Sequence, residues 1–282
     1  MQPLFEHRLE LAGFETRALE LEGQGPPLIL LHGFSDSADT WRLTLDRLGR
    51  RDRRAVALDM PGFGTADALR PGPVLPQLDE FVLAALAQFA SDGEAIVAGN
   101  SLGGCVAMRA AERAEMAGIV PVAPAGLDMA RWFVLIERDP LIRALLASPV
   151  PLPGPLVRAV VGEAYRRFAF RDARGVERLV TKTFAGHFRD RATVRRIHAT
   201  AQRLLPELKD PFRLDRIRCP VLLVWGRHDL LVFQTGAERV LDAAPAARLE
   251  VIEDCGHGPQ VERPERFCEL LLDFPGSLRQ AA

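Results

Sequence analysis

Short continuous apolar runs, each closed by a turn, constrain this chain more than any other feature. They read "PPLILLHG", "RAVALDMPG", "EAIVAGN", "MAGIVPVAP" and "CPVLLVWG". Each is too short for a helix and closes at or beside a glycine or proline, as a strand buried on both faces does. Between them lie stretches with helical spacing. "SADTWRLTLDRLGR" places Trp41, Leu43, Leu45 and Leu48 at that period, with Ser37 or Asp39 as a cap. "LDEFVLAALAQFA", "SLGGCVAMRAAERA", "QTGAERVLDAA" and "RPERFCELLLDF" read as further helices, "TRALELEG" as a half-exposed strand and "ARLEVIE" as a strand. Strands alternating with helices imply a mostly parallel sheet covered on both faces. Sites on such sheets lie at the carboxyl ends of the strands.

The alternation stops near Pro124. From about 125 to 212 no buried strand is legible. The stretch is helical in period and holds Trp132, Phe133, Tyr165, Phe168, Phe170, Phe184 and Phe188, interrupted by "SPVPLPGPL". It reads as a helical insertion at 125–212 on an α/β core formed by 1–124 and 213–282. A chain of 282 residues has room for one large domain carrying such an insertion. Between 126 and 212 there are about sixteen Lys and Arg against about nine Asp and Glu. The whole chain has a net charge of −1, so the remainder is acidic. That balance gives no global attraction to nucleic acid or anionic membranes. The N-terminus shows no signal-peptide pattern, and no apolar run reaches the length of a membrane span. The expectation is a cytoplasmic protein acting on a small molecule, with a homodimer allowed as its assembly.

Cys105, Cys219, Cys255 and Cys268 show no C-x-x-C pair and read as reduced, buried thiols. Cys255 and His257 form a Cys-x-His pair without further ligands at regular spacing. Neither a metal nor a cofactor is expected.

Chemistry gathers at the run ends. In "VAGNSLGGCVAM" Ser101 sits in G-x-S-x-G, between a β-branched run and an Ala-rich helix. Gly99 and Gly103 leave room for a tight strand-to-helix turn that exposes the serine hydroxyl. The helix starting at Leu102 aims its free amides and positive dipole end at an oxyanion beside that serine. The plainer reading is a glycine-rich turn with a bystander serine. A hydroxyl nucleophile needs a base, and the base an orienting carboxylate. Of His7, His32, His187, His198, His228 and His257, the last lies between two glycines after an apolar strand. Asp229 follows "VLLVWGRH" and is the candidate acid, with Asp128 the runner-up. The alternatives are a surface-loop histidine and a solvated loop aspartate.

Five segments, "LHGF", "LDMPGFG", "GNSLGG", "VWGRHD" and "CGHGPQVERP", resemble those of the α/β-hydrolase fold family, as does the order Ser, Asp, His. They span nearly the whole chain outside the insertion. The resemblance implies a mostly parallel sheet with a helical cap between the sixth and seventh strands. It implies Ser101 as nucleophile, His257 as base, Asp229 as orienting acid, and the backbone amides of Phe34 and Leu102 as the oxyanion hole. It also implies that His32 and Asp59 brace their loops. The Phe34 ring and Asn100 are candidate substrate contacts. Asn100 alternatively only fits the turn. A serine at the elbow sets aside haloalkane dehalogenases and most epoxide hydrolases, which use aspartate there. "GNS" before leucine resembles the carbon–carbon bond hydrolases of aromatic ring-fission products, but Gly258 stands where those often carry tryptophan. The "HGF" start also suits cofactor-free haloperoxidase- or perhydrolase-like esterases, which usually have a smaller cap. Ester hydrolysis through an acyl-enzyme is the resulting expectation. Carbon–carbon hydrolysis is one alternative, and a non-catalytic ligand receptor on the same fold is another.

Overall fold

A computed structural model describes residues 2–90, 94–130, 154–171, 186 and 191–280. The apolar runs form one eight-stranded sheet: β1 (Leu4–Leu11), β2 (Phe14–Leu21), β3 (Gln24–Leu31), β4 (Arg53–Leu58), β5 (Ile96–Asn100), β6 (Gly118–Val122), β7 (Val221–Gly226) and β8 (Ala247–Ile252). Their spatial order is β1-β2-β4-β3-β5-β6-β7-β8. β2 runs antiparallel to both β1 and β4, and every other pairing is parallel. β1 was not legible as a strand, because Leu4 and Phe5 lie exposed on an edge rather than in a buried run.

The helices are α1 (Arg42–Arg50), α2 (Leu75–Phe89), α3 (Leu102–Ala111), α4 (Gly154–Ala169), α5 (Arg191–Glu207), α6 (Ala237–Ala243), α7 (Pro259–Glu262) and α8 (Pro264–Gln280). Alternation along each strand divides the core in two. Ile29, Leu31, Val56, Leu58, Val97 and Ile119 cluster with Phe81 and Val82 of α2 and Val106 of α3. Their neighbours Leu28, Leu30, Ala55, Ala57, Ile96 and Val120 cluster with Trp41, Leu45 of α1 and Phe267, Leu271 and Phe274 of α8. Successive side chains of a strand point to opposite faces, so a continuous apolar run is what a sheet covered on both sides requires.

Neither expected cap of the first helix forms as anticipated. Ser37 precedes a 3₁₀ turn over Ala38–Trp41 without a side-chain capping bond. Asp39 instead pairs with Arg17 at 2.8 Å and Arg42 at 2.6 Å, and α1 starts only at Arg42. The charge partners outcompete the cap because a carboxylate between two guanidinium groups makes stronger bonds than one to a neutral amide.

Between β6 and β7 lie α4 and α5. α5 is anchored on the rest of the molecule by its own charges. The Glu207 carboxylate accepts the backbone N–H groups of Val74 and Leu75 at 2.7 and 2.9 Å, satisfying the start of α2. Arg203 donates to the carbonyls of Arg70 and Gly72. Trp132, Phe133, Phe184 and Phe188 lie outside the described residues, as does "SPVPLPG" up to Pro153. All four cysteines are free thiols, three of them buried and Cys219 only half-buried.

Candidate active site

The turn at Ser101 has the backbone that its glycines anticipate. Ser101 has φ 54° and ψ −111°. Left-handed φ is uncommon for residues with a Cβ and strained unless the surroundings enforce it. Here they do. Ser101 N–H donates to Val122 O at 2.8 Å, and its carbonyl accepts from Cys105 and Ala125 at 3.0 Å each. A Cβ on Gly99 would lie 2.3 Å from the Gly103 carbonyl carbon, and one on Gly103 would lie 2.3 Å from Leu31 O. The turn therefore packs strand against helix backbone at a distance that only glycine permits.

Asp229 and His257 stand on loops at the ends of β7 and β8. His257 Nδ1 is 2.7 Å from Asp229 Oδ2, and both side chains are buried. The other carboxylate oxygen accepts the N–H groups of Leu231 and Val232 at 2.8 and 3.0 Å. The carboxylate is an acceptor only, so Nδ1 carries the ring proton and Nε2 keeps its lone pair. A histidine oriented this way can take a proton from a hydroxyl. Asp128, the runner-up, is exposed and accepts a bond from Thr235 Oγ1 instead. His7 pairs with Glu20, His228 is exposed, and His187 lies outside the described residues.

Asn100 joins the two loops. Its Nδ2 donates to the His257 carbonyl at 3.0 Å and to Val122 O at 3.4 Å. The residue before Ser101 is thus bonded to the backbone of His257, and Asn100 is not among the residues that line the recess described below.

The loop after β3 is braced as expected. His32 Nε2 accepts the Met60 N–H at 2.8 Å, and Nδ1 donates to Gly33 O at 2.7 Å. Asp59, fully buried, accepts the Ala38 and Thr65 N–H groups at 2.7 and 2.8 Å and is paired with Arg17. Burial opposes its charge, but the Arg17 guanidinium and the Ala38 amide hold its carboxyl below the usual range; His32, accepting at Nε2, is neutral and adds no charge. Asp36 in the same loop is different. Burial pushes its carboxyl up to about 7, against the Ser37 N–H that favours the charged form.

Beside Ser101 opens a narrow recess of about 50 Å³. It is lined by Phe34, Leu102, Ala125 and Met129, by Ala201, Leu204 and Leu205 of α5, and by Leu208 just past its end. Among the described residues, every lining side chain but that of Ser101 is apolar. Phe34 also packs edge-on against Phe63, with ring centres 5.2 Å apart. Leu102 opens α3, where an amide has no intrahelical acceptor. The α5 wall was missed in the sequence, although Ala201, Leu204, Leu205 and Leu208 follow helical spacing and one face was available to read.

Comparison with known proteins places the chain in a family. Residues 28–270 match the alpha/beta hydrolase family, and the chain belongs to it. It is 29% identical over 285 residues to the 2-hydroxy-6-oxo-6-(2'-aminophenyl)hexa-2,4-dienoic acid hydrolase of Metapseudomonas resinovorans, covering 95% of this chain and 90% of the relative. It is 28% identical over 280 residues to the dihydrolipoyllysine-residue acetyltransferase component of the acetoin cleaving system of Pseudomonas putida, covering 95% and 68%. The crystal structure of a membrane phospholipase A, a bacterial virulence factor, superposes with a TM-score of 0.79 at 25% identity, covering 98% and 87%. No helix among the described residues is long and apolar enough to cross a membrane.

Proposed function

We propose that this protein is a cytoplasmic serine hydrolase that cleaves carboxylic esters of small molecules, with residues 125–212 acting as a cap domain over a core of 1–124 and 213–282. The observation that carries the reading is the bond between Asp229 and His257, 2.7 Å long, on the same edge of the sheet as the strained Ser101 turn. In this reading His257 Nε2 takes the proton from Ser101 Oγ as the oxygen attacks the ester carbonyl. The oxyanion collects on the backbone N–H groups of Phe34 and Leu102, which supply a few kcal/mol of stabilisation by about two fixed donors. His257 then protonates the leaving alcohol. Water, activated by the same imidazole, releases the acid and frees Ser101. The apolar recess suits an uncharged acyl group: burying a charged one there would leave it without a partner among the described lining residues.

Carbon–carbon bond hydrolysis is the second reading, favoured by the dienoic acid hydrolase relative. Gly258 and the uncharged described lining of the recess weigh against it. A panel of p-nitrophenyl esters beside a vinylogous 1,5-diketone dienoate separates the two. Ester turnover without dienoate cleavage is the expected result, and Ser101→Ala abolishes it. Unchanged turnover in that variant would refute the mechanism.

A further inference from the structure

The backbone of the His257 loop is held by the end of α4. His257 N–H donates to the Ala169 carbonyl at 2.7 Å. Gly256 N–H donates to Glu262 Oε1 at 2.7 Å, and Arg171 N–H donates to Glu262 Oε2 at 2.8 Å. One buried carboxylate thus ties residue 256 to residue 171, with one oxygen for each. Gly256 is where the two segments meet. A Cβ there would lie 2.6 Å from Ala169 O, 2.8 Å from Arg171 N and 2.9 Å from Glu262 Oε1. Apolar packing follows the same seam. Phe170 clusters with Ala169 and Val261, and the Tyr165 ring meets it edge-on at 5.0 Å. Asp229 holds only the ring of His257. The loop that carries the ring has glycine on either side, which leaves its backbone with unusual freedom unless something outside it intervenes.

We propose that Glu262 is a positioning residue that clamps Ala169–Arg171 onto the His257 loop and thereby sets where the imidazole stands. This rests on the reading of His257 as the base. The two backbone N–H groups occupy both oxygens of one carboxyl, and burial protects these bonds from competing water. The clamp makes the seating of the α4 end and the placement of Nε2 one event. A displacement of about 1 Å at a reacting group can cost on the order of 100-fold in rate.

Glu262→Gln keeps the shape but turns one acceptor into an NH₂ that faces an N–H donor. The expected result is a kcat on p-nitrophenyl butyrate lowered roughly 10-fold or more, with KM within about 2-fold. The rate of Ser101 labelling by a fluorophosphonate falls in parallel. Both are normalised to folded protein, so a loss of stability alone leaves them unchanged, and unchanged values overturn the clamp. If wild-type protein is itself neither labelled nor active, the serine-hydrolase reading fails and the proposal falls with it. Should the variant not fold, amide hydrogen exchange of the wild-type protein decides. Gly256, His257 and Arg171 amides opening at one common rate support the clamp, and independent rates overturn it.

Discussion

At the scale of single residues, one carboxylate carries a sharp consequence. Asp229 Oδ1 is already occupied by the N–H groups of Leu231 and Val232, and Oδ2 faces His257 Nδ1. In Asp229→Asn the side-chain oxygen will keep the two amides, so the NH₂ turns to the imidazole. Nδ1 must then accept, and the proton moves to Nε2, where it blocks the base. By analogy with the same substitution in a serine protease, kcat for ester hydrolysis drops on the order of 10⁴-fold with the fold intact. Steady-state kinetics with an intact circular dichroism spectrum check it. A loss under about 10-fold would mean that Asp229 does not orient the base. The choice between Asp229 and Asp128 was open in the sequence, where both follow strand ends. The tertiary structure separates them, since Asp128 is exposed and bonded to Thr235.

At the scale of elements, α5 decides what can fit beside Ser101. Glu207 at the start of α2 and Arg203 on the Arg70 and Gly72 carbonyls hold it in place. Its Ala201, Leu204 and Leu205, with Leu208 just past its end, face the recess. Ala201 is the smallest of them, so a larger side chain there takes up space that an acyl chain would use. Ala201→Phe is expected to lower kcat/KM for p-nitrophenyl octanoate about 10-fold or more while leaving the acetate within about 2-fold, since each methylene excluded from an apolar pocket is worth roughly 10-fold or more. Equal losses on both esters would show that α5 does not bound the acyl site. Both charged side chains are thus engaged in holding α5 in place.

At the scale of the whole molecule, Asp36 links stability to pH. Its carboxyl is buried and raised to about 7, facing the Ser37 N–H, with Asp39, Asp59 and Tyr165 as its charged or titratable neighbours. An unfolded aspartate titrates near 3.9. Between those values the folded protein holds a proton that the unfolded chain has released. The stabilisation is therefore full below about 4 and is lost as pH rises through 7, amounting to a few kcal/mol. Asp36→Asn removes the ionisable group while keeping its size. Thermal denaturation from pH 5 to pH 8 is expected to show a smaller fall in Tm for Asp36→Asn than for the wild type. An identical fall in both proteins would show that Asp36 is not the linked group.

The sequence by itself determined the alternation of strands and helices, because a strand covered on both faces must be a short unbroken apolar run. It also pointed to one edge for the chemistry, with Ser101, His257 and both candidate acids after strand ends, since a parallel sheet brings the carboxyl ends of its strands to the same side. Gly99 and Gly103 were legible for a steric reason that the backbone approaches now make explicit. Only the tertiary structure decided the rest. The Asn100 amide reaches His257 across 157 residues of chain, and Glu262 reaches Arg171 across 91. Neither pairing leaves a periodicity or spacing in the sequence. In the sequence Asn100 was open between a substrate contact and a residue that fits the turn; its side chain is engaged with the Val122 and His257 carbonyls. The edge strand β1 and the displaced start of α1 were hidden for a related reason. Exposure on the sheet edge and competition from Arg17 depend on neighbours that local sequence does not name.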